Sequence, residues 1–138
     1  MIKIYENKLG VGHYDPETKI AHLAFSGGAN RADGVDFFDH LIEFSKSHQV
    51  LGEISDSIKL TGTFTDVMDY FQGTFFPAMI GQGMKAHAQV HSTDVFSQFA
   101  YEKIGDNVQE VAGGALTMAD FEDIEEAKKW IYDFLEIA

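Results

Sequence analysis

Apolar runs of strand length alternate with stretches of helical spacing along most of this sequence, and that alternation limits the chain to few architectures. Ile2–Tyr5 and Leu9–Tyr14 read as short strands, and the turn Asp15-Pro16-Glu17-Thr18 leads into a Lys19–Phe25 strand, which makes a hairpin. Gly27 and Gly28 end it. A helix is expected from about Arg31 to Ser47, capped by Asn30 or Asp33, with Val35, Phe38, Leu41, Ile42 and Ser45 on its inner stripe. Val50–Ser55 is the next strand, and a polar loop, Asp56–Thr63, follows. Thr63 and Asp66 form a capping pair for a helix from about Thr65 that carries Val67, Met68, Phe71 and Phe75. Gly73 and Pro77 predict a kink or break within it, because proline supplies no N–H and opposes continuation through Phe76. A Lys85–His91 strand, a helix from Asp94 to about Val108 with Phe96, Phe99, Ala100 and Ile104 inward, a strand Ala115–Phe121 and a closing helix complete the chain. From the first helix onward the order α-β-α-β-α-β-α implies mainly parallel strands joined by right-handed crossovers.

The closing helix, Asp123–Leu135, has the cleanest pattern and the single tryptophan. Ile124, Ala127, Ile131, Phe134 and Leu135 fall on one stripe with Trp130 on its flank, and Asp123 with Glu126 forms an acidic capping box. On that reading Trp130→Ala should cost about 3–5 kcal/mol. The Lys85–His91 strand alternates strictly, with Ala86, Ala88 and Val90 on one face and His87, Gln89 and His91 on the other. Only the first face is expected to be buried, which puts the helices mostly on one side of the sheet.

The length of 138 residues suits one domain, 1–138, and the sequence shows no repeat or linker. There is no cysteine, which removes disulfides, zinc–thiolate sites and catalytic thiols and suits a cytoplasmic location. No secretory signal and no eighteen-residue apolar run is visible, so no membrane insertion is expected. With 22 acidic and 10 basic residues the net charge is −12, which argues against nucleic acid as a partner.

The turn HYDPETKIAHLAF and the segments FFPAMIGQGMKAHAQV, STDVFSQFAYEK and FEDIEEAKKWI together resemble small bacterial proteins of the SpoIIAA-like class. That class includes the STAS domain and is often grouped with CRAL-TRIO lipid-transfer domains. The resemblance implies a right-handed β-α superhelix, here with a mixed, mainly parallel sheet, an N-terminal β-hairpin and about four helices. In anti-sigma antagonists of this family a phosphorylatable serine follows the third strand in an Asp-Ser-x-Gly type motif. Here the stretch from Ser55 to Thr63 holds that place, with Lys59 where the glycine would be, so the phosphoswitch does not carry over. Ser55, Ser57 and Thr61 are the candidate regulatory loop.

No motif for catalysis or cofactor binding is present: there is no G-x-S-x-G, H-E-x-x-H or Walker-type loop. His87 and His91 share a strand face about 13 Å apart, too far for one metal ion, so a zinc site would need one of them with His22 or Glu53. Neither a metal nor another cofactor is expected. A hydrolase using Ser92 or Ser97 beside His91 lacks the logic of a triad and ranks third. The leading expectation is a non-enzymatic regulatory module acting on an unknown protein partner. The alternative is a carrier or sensor of a small apolar, lipid-like ligand. Phe71, Phe75, Phe76, Met79, His87 and His91 are the candidate ligand or interface residues. Because Pro77 breaks the helix, Phe75 and Phe76 are not expected to share one buried stripe. One outward Phe would then anchor a homodimer.

Overall fold

The computed structural model describes residues 1–91, 108–111 and 113–137. Seven strands form one mixed sheet in the order β1-β2-β3-β4-β5-β7-β6, an α/β arrangement. β1 (Ile2–Glu6), β2 (Gly10–Asp15) and β3 (Ile20–Phe25) are antiparallel neighbours. β3, β4 (Gly52–Asp56), β5 (Ala86–Val90) and β7 (Leu116–Phe121) run parallel to one another. β6 (Val108–Val111) pairs antiparallel with β7 at the sheet edge, and the sequence pattern does not reveal it. The expected helix from Asp94 lies outside the described residues up to the start of β6, as do Ser92 and Ser97.

Helix α1 (Arg31–Ser45) begins where a side chain can accept from its free amides: Asn30 accepts from the Asp33 N–H at 2.9 Å. Its buried stripe is Gly34, Phe37, Phe38, Leu41 and Ser45, which adds Gly34 and Phe37 to the expected set and leaves Val35 and Ile42 half-buried. The expected capping pair at Thr63 does not form. The Thr63 hydroxyl instead meets that of Thr65 at 2.8 Å, and the chain enters a 3-10 turn, Phe64–Val67.

A single turn α2 (Met68–Tyr70) then gives way to a π-helical turn, Phe71–Phe75, and to α3 (Phe76–Gly81). Pro77 causes the change: it has no N–H for the carbonyl of Gly73, four residues back, and its ring crowds that carbonyl. The Phe76 N–H reaches back to the Phe71 carbonyl, and the extra residue in the turn alters the angular spacing of the side chains. Phe75 and Phe76 are therefore both buried, at 0% and 7% exposure, and the expectation of an outward phenylalanine is overturned.

The sheet is covered on both faces. On one, α1 and the segment 64–81 pack on Leu23, Phe25, Leu116 and Met118. On the other, helix α4 (Ile124–Phe134) packs on Ile20, Ile54, Ala86, Ala88 and Val90. The expectation that helices lie on one side, leaving His87, Gln89 and His91 on an open face, fails for this reason: all of β5 is buried. Those polar side chains point into the interior beneath the aromatic segment.

α4 is capped by Asp123, which accepts from the Glu125 N–H at 3.0 Å rather than pairing with Glu126 as in a capping box. Ala127 and Ile131 carry its burial, while Trp130 is half-buried on the flank against Phe121 and Phe134, and Phe134 is exposed. The helix sits close to β4 because Gly52 has no side chain: a Cβ there would lie 2.8 Å from Ile131 Cδ1 and 2.9 Å from Leu135 Cδ1. Ile131→Ala should therefore lower the unfolding free energy by about 2–5 kcal/mol. Trp130→Ala should lower it by less than Ile131→Ala per unit of side-chain area, since that ring stays partly exposed on the flank. Urea unfolding at constant slope reads both, and a larger loss per unit area at Trp130 would overturn this assignment of the stripe.

Candidate functional site

The inward polar row is built by strand alternation and parallel register. β4 turns Glu53 and Ser55 to the α1 face, and β5 turns His87 and Gln89 to the same face, with Glu53 opposite His87 and Ser55 opposite Gln89. Ser55 and Gln89 stand toward the carboxyl ends of these adjacent parallel strands, the usual location of ligand crevices in open α/β sheets, while Glu53 and His87 lie two residues earlier, nearer the amino ends. Over them lie Phe38 of α1, Phe64 of the 3-10 turn, and Phe71, Phe75 and Phe76 from the π turn and α3. Phe76 meets the His87 ring edge to face, centroids 5.4 Å apart. Between floor and roof is a cavity of about 10 Å3, lined by those five rings with Ser55, His87 and Gln89, of the order that one water fills.

The floor is buried far more deeply than its polarity would favour. Glu53 is fully buried, and His87, Gln89, Ser55 and Ser57 are 3–5% exposed. His87 Nδ1 lies 3.0 Å from Glu53 Oε1, yet without hydrogen-bond alignment for either Glu53 oxygen or for that nitrogen. Gln89 Nε2 and Ser57 Oγ are also buried without a hydrogen-bond partner in the protein. Native interiors satisfy nearly all such atoms, so this half-satisfied set is a stability liability that an occupant with donors and acceptors would relieve. With Nδ1 turned to Glu53, the other imidazole nitrogen of His87 is the one left for an occupant.

The roof is tied to α1. Arg31 donates to both carboxylate oxygens of Asp69, at 2.7 and 3.2 Å, and to the Asp66 carbonyl at 2.8 Å. The Tyr70 hydroxyl donates to Asp39, and burial followed by that bond raises the phenol above its ordinary range. These tethers hold residues 66–70. The π turn that follows is exposed at Gln72, Gly73 and Thr74.

Of the residues singled out in the sequence, Phe71, Phe75, Phe76, His87 and Ser55 converge on this cavity. Met79 belongs to the same apolar cluster without lining the cavity. His91 is buried just past β5, its N–H donating to the Phe121 carbonyl at 3.0 Å. Ser57 is buried, its N–H donating to the Val90 carbonyl at 2.7 Å, so a phosphate there would have to be accommodated in the interior. Thr61 is exposed and bridges to Gly28, apart from the cavity lining. His22 lies on the opposite face, since its register partner is Ile54, and so is not a companion of His87. Among the described residues no group of three or more His, Asp or Glu side chains could hold a metal ion.

Sequence reasoning missed Gln89, Phe38 and Phe64 as site residues and weighed Glu53 only as a metal ligand. The signal was there: Glu53, Ser55 and Ser57 alternate with Ile54 in β4 and its extension as His87, Gln89 and His91 alternate with alanine and valine in β5. Two polar-inward strands in parallel register build a polar floor. No helix among the described residues is long and apolar enough to cross a membrane. Comparison of the chain with protein-family profiles, with curated proteins and with solved structures returns no match.

Proposed function

We propose that this protein is a non-enzymatic, cytoplasmic binding module of SpoIIAA-like superhelical fold that takes a small apolar ligand with a hydrogen-bonding head. The observation that carries this reading is the buried polar lining beneath five phenylalanines: Gln89 Nε2 has no hydrogen-bond partner in the protein, and His87 turns Nδ1 to Glu53 behind the lining. The head would meet His87 and Gln89, and the apolar body would lie among the rings. The cavity of about 10 Å3 admits no such body as it stands, so loading requires the π turn to swing away from the floor. A turn that has lost the regular bonding pattern at Pro77 and exposes residues 72–74 is the suitable place for that motion.

Protein purified without organic solvent or denaturant should retain a co-purifying apolar mass under native mass spectrometry. His87→Ala and Gln89→Leu should each lose it while keeping the wild-type circular dichroism spectrum. A bare polypeptide mass, together with no saturable binding of an apolar environment-sensitive dye, would refute the reading. A second reading is a regulatory module that contacts a protein partner through the loop after β4, where Ile58 is 43% exposed beside the buried Ser57. That reading predicts that Ile58→Asp weakens recovery of the partner without affecting the retained mass.

A further inference from the structure

A separate cavity lies on the other face of the sheet, beside the first turns of α4. It measures about 190 Å3 and is lined by His13, His22, Asp56 and Lys128, with Leu23, Ala24, Ile54, Ile124 and Met1 as its apolar part. Register explains the convergence. His13 and His22 are directly opposite on antiparallel β2 and β3, a relation that holds Cβ atoms about 5 Å apart. Lys128 is one turn past Ile124 in α4 and half-buried, and its contact with Glu125 is long, 3.8 Å. Three groups that are cationic or can become so thus face one space, in a chain whose net charge is −12. His22 Nε2 is buried and has no hydrogen-bond partner in the protein. Asp56 is the acidic member of the lining, and its Oδ1 already accepts the Ile58 N–H at 3.1 Å.

We infer that this cavity binds a phosphate-type oxyanion, held by His13, His22 and Lys128. A tetrahedral oxyanion offers several acceptor oxygens to donors that approach from two strands and a helix, and charge-assisted bonds to it are the strong kind. The two histidines and the lysine disfavour a cation, and Asp56 can accept from a protonated oxyanion oxygen. The apolar half of the lining gives an organic phosphomonoester somewhere to place its carbon body. The field of the cavity agrees: burial first, then Lys128 and His13, hold the His22 imidazole below its ordinary value, while nearby Asp15 opposes them. Oxyanion binding should move His22 upward, so by linkage the contribution of His22 to affinity grows as pH falls below the ordinary histidine value, against the ligand's own loss of charge.

The test is an NMR titration of the imidazole nitrogens at constant ionic strength, with inorganic phosphate in one arm, phenyl phosphate in a second and acetate as control. Saturable changes at His13 and His22 are expected, with His40 and His48 unmoved, and Lys128→Gln should weaken binding about tenfold. Stronger binding of phenyl phosphate identifies an organic phosphomonoester as the occupant, and equal or stronger binding of inorganic phosphate identifies the free ion. Shifts linear to about 50 mM, shifts matched by acetate or by His40 and His48, or unchanged affinity in Lys128→Gln overturn the inference.

Discussion

Phe75→Ala should lower the unfolding free energy by about 3–5 kcal/mol, a large part of the roughly 5–15 kcal/mol that holds a domain of this size. Phe75 is fully buried at the centre of the aromatic roof, its ring centroid 4.8 Å from that of Phe38, 5.3 Å from Phe76 and 6.1 Å from Phe71. Truncation removes the ring's transfer energy and its edge-to-face partners together, and leaves a space lined by other rings that cannot shorten to fill it. Thr74→Ala, one residue earlier on the exposed side of the π turn, should change stability by less than about 0.5 kcal/mol. Urea unfolding followed by circular dichroism decides between two pictures. A loss at Phe75 below about 1 kcal/mol would mean that the turn collapses readily into the vacated space, and the roof is then loosely packed.

Local chemistry was legible where it was dictated by neighbours in sequence. Asn30 and Asp123 cap α1 and α4 because a side-chain oxygen before a helical run can reach the free amides of its first turn. Pro77 announced a break, but its form depended on Phe71, Phe75 and Phe76 all finding the core, a tertiary demand that the proline alone does not encode. The alternation in β5 was read correctly as two faces and wrongly as one buried and one open. Polarity marks which side chains share a face; it does not say whether a face is covered, and here the aromatic segment covers the polar one. The candidate site escaped for a related reason. Glu53 and His87 are 34 positions apart, and only the parallel register of β4 with β5 brings them together. Edge strand β6 pairs by its backbone on β7, which leaves a weak mark on side-chain pattern.

Glu53 and His87 should show strongly non-additive substitution effects. Glu53→Ala leaves His87 buried without the carboxyl group 3.0 Å away, and His87→Ala leaves a fully buried carboxyl group without the imidazole beside it. Removing one member of such a pair typically costs about 3–5 kcal/mol, because the survivor keeps its desolvation penalty. Glu53→Leu combined with His87→Leu removes both penalties at similar volume, so the double variant should recover most of the loss and could exceed the wild type by about 1–4 kcal/mol. A double-mutant cycle on unfolding free energies measures the coupling. Two small, additive losses would show that the two groups do not interact. Recovery of stability with loss of the retained apolar mass would separate the roles: a chain that folds better with a greasy floor keeps Glu53 and His87 for what they bind. A double variant as unstable as the worse single one would instead make the pair part of the fold, since leucine could not then replace what the pair holds in place.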